Sequence, residues 1–384
     1  MTGRERVEAT FAGDKPDTPA IHHVGFSSAA ASLLLGREAY VGGGIQRWRE
    51  ARALWQGPDA HAEFLERSFR DAVDIAKLCG NDIVRPTYWR YPRKPTSVAD
   101  ENTLVFESGP ESTWAVLRFD PPTEQCGITP IRPGREVTIE DLDAEVAQAE
   151  KRAAEYVPDE QTYDFELRAH AELGDAGVVR CGGVAVGVAH DQVWMEAIAL
   201  RPDLVKRSLA AQATRAEKNM AFLSARGLMY WFGGFDFAAQ TGPMFSPASF
   251  NELVLPALQR VSRGCRTYGG KHLFASDGNL WAVADTLFGE SGVDGYYEID
   301  RRASMDLRKL RQRFPDLTLV GNISSHTLHL GSPEEVAAEV NDCLDAAEEL
   351  GRIVVGMSNY IVPGTPEANV MAVFETVNAR RAGA

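Results

Sequence analysis

The chain has 384 residues and a formal net charge of −14. That length allows one large core or two ordinary ones, and the acidic balance argues against nucleic acid or an anionic membrane as partner, because phosphate binding needs a basic face. Five scattered cysteines (Cys79, Cys126, Cys181, Cys265 and Cys343), none in CxxC spacing, argue against a disulfide framework and fit a reducing compartment. The charged N-terminus has no apolar h-region, and no apolar run is long enough to cross a bilayer, so a cytoplasmic location is the expectation.

Residues 5–12 read as a short polar helix and 20–25 as a first strand containing His22 and His23. Helices follow at 27–35 and 45–55, joined by the glycine-rich 41–44, and 60–79 has strong helical periodicity. A short strand at 81–85 leads into a loop with Tyr88 and Trp89. The basic cluster Arg85, Arg90, Arg93 and Lys94 is a candidate local basic pocket, although most such clusters are simply solvated. Residues 103–107 and 113–118, separated by Gly109-Pro110, predict a β-hairpin within an inserted flap over 92–135. Further helices are expected at 139–155, 163–172, 193–200 and 203–226, with a buried strand at 177–187.

From 228 to 366 the pattern repeats. Apolar runs at 228–232, 271–275, 293–297, 317–321 and 353–357 alternate with helical segments. They lead to Asp236, to Asp277 and Asn279, to Glu298, to Asn322 and to Asn359. Ser332, Pro333 and Glu335 form a helix start with capping-box spacing, and 366–380 is the final helix. Strand–helix repeats with polar residues at strand ends predict an α/β fold: a (β/α)8 TIM barrel, with an N-terminal helical extension, over one domain spanning 1–384.

Asp277 lies in Ser-Asp-Gly-Asn, where it either caps a helix or faces the barrel mouth; the repeat architecture favours the mouth. Glu298, at the neighbouring strand end, would complete an acid–base pair or bind a cation. His22 and His23 would line the floor, Trp89, Trp231, Phe237 and Tyr297 would supply apolar walls for a ring-like or fatty ligand, and Asp236, Gln240, Asn279, Asn322 and Asn359 would orient it. His326 and His329 lack a third zinc ligand at usual spacing, and no Walker loop, dinucleotide fingerprint or nucleophile elbow is present.

The run from Asp236-Phe237-Ala238-Ala239-Gln240-Thr241-Gly242-Pro243 to Pro247, with Phe250 and Pro256, resembles the uroporphyrinogen decarboxylase superfamily. Ser276-Asp277-Gly278-Asn279, Gly321-Asn322-Ile323 and Pro363-Gly364-Thr365-Pro366 are similar to it as well. The resemblance covers most of the chain, least over 92–135, and implies a barrel with its pocket at the strand C-termini. It implies two activities: decarboxylation without a cofactor, or methyl transfer involving a corrinoid protein, often with zinc. The decarboxylase's Arg-x-x-Gly-Arg falls on His22-His23-Val24-Gly25-Phe26, without either arginine; its pyrrole-facing Asp matches Asp82 and its late His matches Asn359. The zinc pattern falls on Ala275, Asp277 and Asn359, which do not make a zinc site. An Asp in place of the Cys resembles the branch of corrinoid-dependent O- and N-demethylases. The resemblance therefore implies no metal and no tightly bound cofactor, catalytic roles for Asp277, Glu298 and Asp82, a small methoxylated or N-methylated substrate, and cobalamin on a corrinoid partner protein. A cofactor-free decarboxylase or lyase on a non-porphyrin acid and a non-catalytic ligand-binding barrel are the alternatives, and a homodimer is left open.

Overall fold

The computed structural model describes residues 1–107, 114–130 and 137–383. Seven strands form one parallel sheet: Ile83–Val84, Val178–Cys181, Tyr230–Gly234, Lys271–Ala275, Gly295–Tyr297, Thr318–Val320 and Ile353–Val354, each hydrogen-bonded to the next. Residues 20–23 close the ring. On one side His22 N donates to Val355 O at 2.9 Å and Val355 N donates to Ala20 O at 2.8 Å; on the other, Asp82 N donates to Ile21 O at 2.8 Å. The α/β architecture is therefore that of a closed barrel wrapped by helices, with every strand C-terminus at one end. Among the described residues, no helix is long and apolar enough to cross a membrane.

Pleating divides each strand between two cores. Ile83, Val178, Phe232, Leu273, Tyr297 and Val320 fill the barrel, whereas Val84, Val179, Trp231, Phe274, Tyr296 and Leu319 pack outward beneath the helices. The Gly3–Ala12 helix starts with a capping box of Thr2 and Glu5 and seals the strands' N-terminal end with Val7 and Phe11. Phe11 meets Tyr230 edge-on at 5.4 Å.

Where the sequence predicts a hairpin, four antiparallel strands lie side by side: Ser97–Asp100, Thr103–Phe106, Ala115–Asp120 and Gln125–Pro130. The expected Gly109-Pro110 turn lies outside the described residues. Leu104, Phe106, Leu117 and Phe119 form a small core with Ile45 and Ala51 of the Gly44–Gln56 helix, and Trp48 stacks on Phe119 at 4.7 Å. Glu124 caps the Ser28–Leu35 helix, accepting from Ser28 N at 2.7 Å and Ala29 N at 2.8 Å. The expected strand over 177–187 stops at Cys181. Gly183, with φ +90°, takes the chain out of the extended region there.

Asp82, expected as a catalytic carboxylate, belongs to the fold instead. It precedes its strand, so it sits at the barrel end opposite the mouth. Its buried carboxylate accepts from Arg6 Nη1 and Ile21 N, both at 2.8 Å, and pairs with Arg381. It thereby ties the first helix, the closing segment and the last helix together. Breaking a buried ion pair by removing one partner costs about 3–5 kcal/mol. Asp82→Ala is expected to lower the unfolding free energy by about 3 kcal/mol in a denaturant titration, while ligand binding at the mouth of the folded variant stays unchanged.

Candidate active site at the barrel mouth

Three carboxylates converge at the strand C-termini. Asp236, Asp277 and Glu298 each place an oxygen within 4.8 Å of the other two. Pleat parity explains Asp277, two residues beyond the inward-facing Ala275; Asp236 lies past Gly234, whose φ of +115° breaks the pleat. Glu298 follows the inward-facing Tyr297, so regular extension would turn it outward. Its backbone instead adopts φ +62°, a left-handed conformation that costs roughly 1–3 kcal/mol for a residue with a side chain. The departure lets Glu298 join the other two acids.

Loop hydrogen bonds fix the arrangement. Asp236 Oδ1 accepts from Asp277 N at 3.0 Å, and Asn359 Nδ2 donates to Asp277 Oδ2 at 3.0 Å. Gly278, φ +88°, lets this loop touch the one from the preceding strand: a Cβ there would lie 2.4 Å from Ala238 O. Two full charges at 4.8 Å repel by roughly 3 kcal/mol at an effective dielectric of about 20. Burial, reinforced by Glu298 and Asp236, pushes the Asp277 carboxyl up to about 7, against the pull of Asn359. Burial likewise raises Glu298, with Asp236 adding to the effect, while Arg180 and Arg85 oppose it. The site thus holds a carboxyl raised to about 7 beside two further carboxylates. Three oxygen donors also suit a hard divalent cation such as magnesium better than zinc.

Two residues absent from the expected site reach the mouth. Arg85 follows Ile83–Val84, and Arg180 lies two residues beyond the inward-facing Val178. Arg85 Nη1 donates to Val24 O at 3.0 Å, and its guanidinium lies 4.9 Å from the Tyr88 ring. It is enclosed and aromatic-flanked rather than solvated as its cluster suggests. Arg180 lies 4.7 Å from the Phe232 ring and 4.8 Å from that of Tyr297. The available signal was a single arginine in each apolar run, at its end for Arg85 and inside Val178–Cys181 for Arg180.

The other expected residues divide by facing. His22 points into the barrel, with Nδ1 2.8 Å from Ile83 O and Nε2 3.4 Å from Arg180 Nη1. Tyr297 lines the interior, and its hydroxyl donates to Gly233 O at 2.9 Å. Trp89 is exposed on the rim and contacts Tyr360 at 5.8 Å. Gln240 is exposed on the loop after Tyr230–Gly234. His23 is not on the floor: it packs outward between Phe26 and Phe374. Trp231 lies in the outer core, as does Phe237, stacked on Phe250 at 5.3 Å. Asn279 is used locally, accepting from Trp281 N at 3.1 Å. Asn322 bonds Arg301 and Met305 O, both at 3.2 Å, and so braces the outer layer. Of the positions matched to zinc ligands, Ala275 lines the barrel and Asn359 serves Asp277.

Two clefts lie away from these acids: one of about 670 Å³ beside Arg90 and Glu166, and one of about 530 Å³ by Asp14 and Arg352. Neither contains the three carboxylates; the mouth is the stronger candidate because its acids converge and burial shifts Asp277 and Glu298.

Comparison with known proteins bears on the same region. Residues 233–380 match the family model described as Uroporphyrinogen decarboxylase (URO-D). No curated protein matches the chain. Among solved structures, the chain is similar to Penicillium canescens endo-1,4-beta-xylanase XylE at 12% identity and TM-score 0.38, over 58% of this chain and 80% of that one. It is also similar to the IOLI protein, whose structure has a bound zinc atom, at 13% identity and TM-score 0.31, over 63% and 93%. The YdhT protein from Bacillus subtilis matches at 11% identity and TM-score 0.26, over 53% and 68%. The matched segment begins in the strand that leads to Asp236 and includes Asp277, Glu298 and Asn359, and it supports the uroporphyrinogen decarboxylase superfamily.

Proposed function

We propose that this barrel moves a methyl group from a small methoxylated or N-methylated substrate to a corrinoid partner protein, with Asp277 as the proton donor. The observation that carries the reading is the Asp277 carboxyl, pushed up to about 7 within a cluster of three acids at the mouth. A methyl ether is a poor substrate until its leaving oxygen is protonated. Asp277 would give that oxygen its proton as the carbon–oxygen bond breaks, and Glu298 and Asp236 would keep the proton on Asp277 until then. The reduced cobalt of a corrinoid supplies the acceptor for the methyl group.

A second reading, decarboxylation of a small acid without a cofactor, is favoured by Arg85 and Arg180, which suit carboxylate recognition. There Asp277 would protonate the carbon left by departing carbon dioxide. Incubation with a reduced corrinoid protein and a panel of methoxylated and N-methylated compounds separates the two. Appearance of the methyl-cobalt absorbance supports methyl transfer; carbon dioxide release without corrinoid supports decarboxylation and overturns it. Asp277→Asn is expected to reduce turnover by about 10²-fold or more.

The pH dependence follows from the same carboxyl. Turnover is expected to fall as pH rises through about 7, where Asp277 loses its proton. Glu298→Gln removes a repelling charge and should move that limb to lower pH in a kcat/KM profile. Stability should follow with a definite sign. The folded protein holds the proton to about 7, the unfolded chain only to the ordinary Asp value near 3.8. The stability that Asp277 contributes is therefore fully present below the unfolded value and is lost as pH rises through about 7. Asp277→Asn is expected to be more stable than wild type at pH 8 by about 1–2 kcal/mol, allowing for partial exposure. That advantage should shrink toward pH 4 in denaturant titrations.

A further inference from the structure

Two guanidinium groups stand at the mouth. Arg85 and Arg180 come from neighbouring strands whose backbones pair at Ile83–Val178 and Val84–Val179. Among the described residues, neither forms a salt bridge, whereas Arg6 and Arg381 at the other end both pair with Asp82. Enclosing such a charge with no carboxylate in contact is costly; Glu298 acts on both groups only at longer range. Arg180 has only two long polar contacts, His22 Nε2 and the Tyr297 hydroxyl, each at 3.4 Å. Arg85 donates Nε to Thr87 O at 3.1 Å and Nη1 to Val24 O.

His22 has a definite place here. Its Nδ1 lies 2.8 Å from Ile83 O. A carbonyl can only accept, so Nδ1 carries the hydrogen and Nε2 presents its lone pair to Arg180. Burial holds the ring neutral, its pKa well below the usual value, with Arg180 adding to the effect. The contact orients Arg180 without cancelling its charge. Aromatic faces complete the surroundings: Phe232 and Tyr297 by Arg180, and Tyr88 and Tyr360 by Arg85, the last at 5.5 Å. Gly25 makes room for the Tyr360 ring, since a Cβ there would lie 2.8 Å from it.

We propose that Arg85 and Arg180 form a carboxylate-binding subsite for a small, flat monoanion, and that His22 positions Arg180 within it. Guanidinium matches carboxylate through paired hydrogen bonds, and the surrounding rings favour a planar body. Glu298 lies close enough to act on both guanidinium groups and disfavours a second negative charge there, which selects a carboxylate over a phosphate dianion. The orientation of the substrate's other end toward Asp277 rests on the reading of that residue as proton donor; the subsite itself does not.

Calorimetric titration of the full chain with benzoate, benzamide and phenyl phosphate at pH 7 and low salt tests this. Benzoate is expected to bind at least tenfold more tightly than either analogue. Arg85→Met and Arg180→Met should each weaken benzoate at least tenfold and leave benzamide unchanged. His22→Leu should weaken benzoate less, with partial recovery in His22→Gln. Since Arg180 forms no salt bridge among the described residues, Arg180→Met should melt at or above the wild-type temperature, which separates loss of the subsite from loss of the fold. If an Arg→Met variant does not fold, Arg85→Lys and Arg180→Lys take its place, with a smaller loss of benzoate affinity expected. Equal binding of benzoate and benzamide, preference for phenyl phosphate, no binding of benzoate, or benzoate affinity unchanged by these substitutions would overturn the proposal. No corrinoid is present in the titration, so failure here leaves methyl transfer standing, and failure of methyl transfer leaves the subsite standing.

Discussion

The mismatch of charge at the barrel mouth is the constraint around which the other features of the site are arranged. Three carboxylates share a space less than 5 Å across while two guanidinium groups nearby make no ion pair with them. If the same five groups paired off, the result would be a set of salt bridges with ordinary protonation. Held apart, they leave one carboxyl protonated near neutrality and two cations available. At the opposite end Asp82 meets Arg6, Arg381 and a backbone N–H, and its acceptor capacity is used within the fold. One barrel thus contains matched buried charge where it is sealed and unmatched charge where it opens.

The parallel ladder delivers that asymmetry. Because every strand runs the same way, inward positions two residues beyond the core layer all arrive at one rim. Arg85 follows Ile83, Arg180 follows Val178, and Asp277 follows Ala275 by this rule. His22, two residues beyond Ala20 in the closing segment, uses the same spacing to reach Arg180. Glu298 is the exception, and its left-handed backbone is the local cost of the exception. The fold positions most of the site through register and one member through strain.

The sequence shows the barrel clearly because its strands are short apolar runs ending in polar residues. Asp236, Asp277, Glu298 and Asn359 were legible for that reason. Facing was not. Strands buried on both sides carry no apolar–polar alternation, so His22 and His23, or Trp231 and Phe232, look equivalent until the register is fixed. Asp82 failed differently: it adjoins a strand, but at the N-terminal end, where a polar residue supports the fold. Arg85 was obscured by Arg90, Arg93 and Lys94, which make it look like one member of a solvated cluster. Arg180 lies inside an apolar stretch whose glycines draw attention to the turn rather than to the charge.

The two charge systems of the mouth are also coupled. Glu298 is raised by burial and by Asp236, and lowered by Arg180 and Arg85. An anion bound to those guanidinium groups would offset the lowering influence, and Glu298 would then retain a proton more readily. Additional negative charge in the same enclosed space would also favour the protonated form of Asp277. Occupation of the cationic subsite and retention of a proton by the acids therefore favour one another, as linkage requires. A site built in this way would be best supplied with a transferable proton when an anionic ligand occupies it. That coupling is a physical reason for the fold to keep acids and guanidinium groups near one another without letting them pair.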